Sequence, residues 1–126
     1  MPHLDLTKEQ FKAFLAFPAD TPLQMLNLLK FKETVPETGL SGAAQYKAYM
    51  KAAMPFFQKS NAKILFYGEP KFTLIGPSDE LEWDKVLIVE YAQKEDFIKM
   101  VTSEGYPAHL RSKAMADSRL IYCAPV

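Results

Sequence analysis

Three polar residues interrupt runs that are otherwise apolar: Asn27 within Met25–Phe31, Glu90 within Lys85–Tyr91 and Arg119 within Ser118–Cys123. Burying an unpaired amide costs roughly 1–3 kcal/mol, and an unpaired charge costs more, so each of these residues requires a partner or a task. As a working set they offer proton transfer: Glu90 as base, Arg119 as the cation beside developing negative charge, and Asn27 as an orienting amide. His109 is a further candidate for moving a proton. The competing reading has equal weight: an ion pair of Glu90 with Arg119 or Lys30, at a strand end or a seam between two copies.

Tyrosines supply the other half of a candidate pocket. Tyr46 and Tyr49 lie one turn apart on a helical run, and Tyr67, Tyr106 and Trp83 could border the same space. An aromatic stripe at helical spacing is ordinary core material, but buried phenol hydroxyls need partners, and apolar pockets carry a few such converging polar groups. Within the acidic loop Asp79, Glu80, Glu82 and Asp84, the last stands apart. It directly precedes a strand, and accepting a hydrogen bond from that strand's backbone or capping the loop is its expected role ahead of ligand binding.

Other chemistries find no support. His3 and His109 have no second histidine at ligand spacing, and no Cys-x-x-Cys, His-x-x-x-His or Glu-x-x-His pattern exists, so no metal site or cofactor is expected. Ser41-Gly42 before a helix reads as a cap, since neither glycine-rich phosphate motif is present. Cys123 lies in an apolar strand and reads as a space-filler. Lys and Arg together number 15, as do Asp and Glu, so no net charge draws the chain to nucleic acid or an anionic membrane. No apolar stretch approaches the ~20 residues that span a bilayer, and no basic segment followed by an apolar run marks a signal peptide. A single cysteine and these absences point to the cytoplasm.

The elements that must position these groups follow from local pattern. The 126 residues suit one domain, 1–126. A helix over about 7–17 opens on Thr7-x-x-Gln10, a capping box, with Leu6 and Phe11 at staple positions and Phe11, Phe14 and Leu15 on one face. Strands are expected at Met25–Phe31, at Ala62–Gly68 continuing after an interruption into Phe72–Ile75, at Lys85–Tyr91, and at Ser118–Cys123. A helix runs from after Ser41 to about Ser60 with an expected kink at Pro55. A short one lies around Phe97, Ile98 and Val101, and another starts at Pro107 and runs to about Ala116. Without the first helix the order is β-α-β-β-α-β, the ferredoxin-like arrangement of an α+β sandwich. Leu87, Ile88 and Val89 are consecutive, as are Leu28 and Leu29, whereas a sheet solvated on one face alternates. Both faces therefore require cover, and a homodimer through the sheet faces is the simplest cover for the second.

These residues also resemble a known family. Asn27-Leu28-Leu29-Lys30-Phe31, Tyr46 and Tyr49, the Gly68 to Gly76 stretch, Trp83-Asp84, Glu90-Tyr91, Phe97 through Met100 and Ser103 to Tyr106, Arg111, and Asp117-Ser118-Arg119-Leu120-Ile121 carry the resemblance. Together they are similar to the domain of unknown function 1330, within the dimeric α+β barrel superfamily. The match covers about 23–122 and leaves the first helix outside. It implies a ferredoxin-like protomer pairing into a barrel across a dimer, and it adds Arg111 to the ligand-binding candidates. It implies no activity, since the superfamily includes cofactor-independent monooxygenases, small isomerases, haem-dependent enzymes and proteins without known chemistry. Where the family carries Pro-Ser, this chain has Ala92-Gln93, which removes a good helix cap. Three functional readings follow: a pocket that binds a small apolar or aromatic metabolite, a cofactor-independent monooxygenase- or isomerase-like enzyme, and a structural or regulatory dimer.

Overall fold

The computed structural model describes residues 1–126. Its elements are α1 (Lys8–Leu15), β1 (Leu23–Phe31), α2 (Gly42–Lys59), β2 (Lys63–Gly68), β3 (Lys85–Tyr91), α3 (Lys94–Val101), α4 (Ala108–Ala114) and β4 (Met115–Cys123). The strands form one antiparallel sheet in the order β2-β3-β1-β4. This is the ferredoxin-like α+β fold expected from the pattern, with α3 and α4 together filling the second helical connection.

The helices start and stop where local chemistry allows. Ser41 caps α2 by accepting from the Ala44 N–H at 3.1 Å. The helix continues through Pro55 and ends in a Schellman arrangement. Asn61 takes a positive φ of 55°, the Ala62 N–H donates to Phe57 O at 3.0 Å, and the Asn61 N–H donates to Gln58 O at 3.2 Å. Position 93 keeps a terminus despite the absent serine, because the Asp96 carboxylate reaches back to accept from the Gln93 N–H at 3.3 Å. At α1, Thr7 accepts from the Gln10 N–H at 3.2 Å. The Gln10 side chain accepts from the Thr7 hydroxyl.

Burial alternates along β1, with Leu23, Met25, Asn27 and Leu29 buried and the residues between them only partly so. The buried set joins Leu87, Val89 and Tyr91 of β3 and the inner faces of α2 and α3, namely Tyr46, Tyr49, Ala53, Phe57, Phe97 and Met100. Phe14 of α1 packs edge-on against Phe97 and Tyr122, which places α1 on the same face of the sheet. The opposite face, with Leu26, Leu28, Val86, Ile88 and Ile121, has no helix on it.

Two boundaries differ from the sequence reading by three residues or more. β2 stops at Gly68, which pairs with Val86 near the start of β3, so the ladder has no partner left to extend along. Pro70 lacks the N–H a further pair would need. Phe72, Leu74 and Ile75 therefore lie in a loop, 75%, 86% and 95% exposed, although their alternation imitates a strand. β4 begins at Met115, three residues before Ser118, because Phe31 pairs with Met115 across a bulge at the end of β1.

Candidate functional site

Between the helices and the buried face of the sheet lies a cavity of ≈ 830 Å³, with mostly apolar walls. Its floor is Met25, Asn27, Leu87 and Val89, and α2 supplies Tyr46, Tyr49 and Phe57. Residues 3–6 and the aromatic face of α1 close one side. Three polar contacts pin that N-terminal arm. The His3 N–H donates to Asp117 Oδ1 at 2.9 Å, Ser118 Oγ donates to His3 O at 2.6 Å, and Ser112 Oγ donates to Asp5 Oδ1. The buried Lys94 holds the far end of α1, its ammonium donating to Leu15 O at 2.7 Å and to Phe17 O. A cation at a helix C-terminus is favoured by the carbonyls left without partners there.

The polar groups of the cavity gather around Asn27. Its Nδ2 donates to Met25 O at 3.2 Å and Leu87 O at 3.4 Å, which leaves Oδ1 to accept from Arg111 Nη2 at 3.2 Å. Tyr49 and Tyr106 bond hydroxyl to hydroxyl. Tyr46 packs between Phe31 and Tyr49, each centroid 5.4 Å away, and its hydroxyl bonds to no protein group. Every fully enclosed side-chain nitrogen or oxygen in the structure has a partner, so the Tyr46 oxygen is one that the cavity reaches. Burial raises the titration of Tyr46, Tyr49, Tyr91 and Tyr106 above the ordinary phenol value, and the charge of Arg111 offsets this only in part for Tyr46, Tyr49 and Tyr106. All four are neutral phenols at pH 7.

The candidates do not all meet. Glu90 pairs in register with Gln24, three positions from Asn27, and an odd separation along a strand means opposite faces. It lies on the helix-free face, where it accepts from Gln24 Nε2 at 3.0 Å. Arg119 is in register with Leu28, which turns it toward that same face, although on the edge strand β4 it still borders the cavity. Its guanidinium bonds to Asp117 at 2.8 Å and stands 5.3 Å from the centre of the Trp83 ring. Neither the Glu90–Arg119 nor the Glu90–Lys30 ion pair forms. Tyr67 lies on the edge strand beneath the Lys85 ammonium, 5.4 Å from its ring centre, and outside the cavity wall. His109 is on the exposed side of α4 and also outside the wall.

Asp84 ties the long loop to β1. Its N–H donates to Leu29 O at 2.7 Å, and its carboxylate accepts from the Phe31 N–H at 2.8 Å. Asp84→Ala would leave that N–H without its charged acceptor, and we expect a loss of about 1 kcal/mol in chemical denaturation with the cavity unaffected. An unchanged midpoint would show that water replaces the carboxylate at no cost.

The sequence reading missed the contribution of the N-terminal arm and α1, whose Leu4, Phe11 and Phe14 line the cavity. The signal was the aromatic face of α1, which had to dock somewhere.

The fold is similar to that of a protein of unknown function from Rhodopseudomonas palustris, RPA0582, with TM-score 0.89 and 35% identity over 100% of this chain and 98% of that one. A candidate antibiotic biosynthesis monooxygenase from Caulobacter crescentus has TM-score 0.55 at 14% identity, over 85% of this chain and 92% of that one. A dimeric ferredoxin-like protein of unknown function from Thermobifida fusca has TM-score 0.55 at 13% identity, over 87% and 96%. At such identities these two share the fold alone. No family model and no curated protein matches the chain.

Proposed function

We propose, from the premise that this chain belongs to the family of the Rhodopseudomonas palustris RPA0582 protein, that it binds a small apolar or aromatic metabolite between the helices and the sheet. The cavity carries this reading. At ≈ 830 Å³ it is within the range of small-molecule sites, and its polar groups are few and convergent. Asn27, Tyr46, Tyr49, Tyr106 and Arg111 form the binding set, with Tyr46 offering a hydroxyl that no protein group uses. The motif resemblance to domain of unknown function 1330, and a homodimer through the helix-free sheet face, belong to the same proposal.

Retention of the ligand is favoured over turnover by the chemistry of the wall. The phenols of Tyr46, Tyr49, Tyr91 and Tyr106 are held neutral, the Asn27 amide is bonded at both its nitrogen and its oxygen, and the one carboxylate, Asp5, already accepts from Ser112. Glu90 and His109, the sequence-based choices for moving a proton, stand elsewhere.

The test is a fluorescence titration with phenylnaphthylamine, an uncharged aromatic probe that brightens in apolar surroundings. Val101→Trp places an indole into the cavity from the end of α3. Saturable binding by the native chain, weakened roughly tenfold or more in a variant that still melts cooperatively, is the expected result. Equal binding by both proteins would place the probe elsewhere and remove the reading.

A further inference from the structure

Arg111 is the one cation of the cavity wall without a carboxylate partner. The wall carries two guanidinium groups, and that of Arg119 is already engaged by Asp117. Arg111 bonds only to Asn27 Oδ1, so one of its five N–H donors has a protein acceptor. Asn27 is in turn locked by the Met25 and Leu87 carbonyls, so it can turn no other group toward the cavity and serves to aim the guanidinium. The Tyr46 hydroxyl lines the same cavity within reach of the Arg111 charge and is also without a protein partner. Asp5 is the only negative charge on the wall, and it forms no ion pair with Arg111.

Resting on the pocket reading above, we infer that the ligand is an organic acid: one carboxylate received by Arg111 and the Tyr46 hydroxyl, on an aromatic or branched apolar body that fills the remaining space. A planar guanidinium with free donors matches a carboxylate in shape as well as charge. One unpaired cation fits one negative charge. A polyphosphate would bring several charges into walls that are otherwise apolar, where unpaired charge is costly. The Asn27–Arg111 bond is then a positioning contact, present before the ligand arrives and reducing the cost of ordering the arginine.

The experiment compares naphthoate with naphthamide, which share their rings and differ by one charge, as competitors for bound phenylnaphthylamine. The native protein is expected to release the probe at roughly tenfold lower naphthoate than naphthamide. Arg111→Met, of similar length and no charge, should erase that preference when each competitor is referred to the variant's own affinity for the probe, and Arg111→Lys should restore part of it. Equal competition in the native protein needs no variant to interpret and overturns the inference. So does a naphthoate preference that survives Arg111→Met. If Val101→Trp leaves probe binding untouched, the pocket reading itself fails, which is a separate result from the loss of acid preference in a pocket that still binds.

Discussion

Gly42→Ala is expected to lower the unfolding free energy by about 3 kcal/mol, although alanine ordinarily favours a helix over glycine by about 1 kcal/mol. The sign reverses because Gly42 is wedged between two backbones. A Cβ there would stand 2.4 Å from Lys32 O, 2.6 Å from Lys32 N and 2.7 Å from Ala114 O. None of these is the end of a flexible side chain. The same atoms are bound to one another, with Gly42 N–H donating to Lys32 O at 2.8 Å and Lys32 N–H donating to Ala114 O at 2.9 Å. Relief therefore requires the start of α2 to move away from the end of β1 and from α4. Tyr46 lies one turn along α2 and Tyr49 two, so the same displacement would carry the cavity roof with it. Urea denaturation of the variant should show a lower midpoint at unchanged slope, and phenylnaphthylamine should bind more weakly to the fraction still folded. A neutral or stabilising Gly42→Ala would mean that the three chain segments are not in close contact.

How far such contacts could be read in advance depended on whether they are local. β3 was legible because Val86–Val89 is an unbroken apolar run, and α2 because Tyr46, Tyr49, Ala53 and Phe57 keep helical spacing behind a serine cap. Phe72–Ile75 looked equally like a strand, but a strand exists only where a neighbour pairs with it, and β3 starts too late to serve. Pairing register was the other hidden quantity. Asn27, Glu90 and Arg119 are each an isolated polar group in an apolar strand, and nothing local states which face each one takes. The ladder opposes Glu90 to Gln24 and Arg119 to Leu28, and this separates both from Asn27. Arg111 emerged from motif resemblance, while its role rests on a bond spanning 84 positions of sequence. The docking of α1 was least accessible of all, because it depends on Lys94 reaching Leu15 and Phe17 and on the arm at residues 3–5 meeting α4 and β4.

Ile88→Glu is expected to halve the mass of the protein in solution. In register, Ile88 faces the same way as Leu26 of β1 and Phe66 of β2, and Ile121 of β4 lies beyond Leu26. This row crosses the middle of the helix-free face, and the charged residues Lys63, Glu90, Asp117 and Arg119 lie toward its ends. Phe66 and Ile121 are 53% and 43% exposed in the single protomer. An apolar centre with a charged rim is the usual layout of a protein interface, and a second copy would cover it symmetrically. In such a dimer every substitution appears twice. Each introduced glutamate would be a buried carboxylate without a partner, at several kcal/mol per copy, and Glu90 two positions away on the same face adds repulsion. Sedimentation at micromolar concentration should give the native protein twice the 14.3 kDa chain mass and Ile88→Glu the mass of one chain. The cavity lies on the opposite face of the sheet, so phenylnaphthylamine binding should survive dissociation and report that the variant remains folded. A native protein that already sediments at the mass of a single chain would end the case for this interface. The exposed apolar row would then need a different partner.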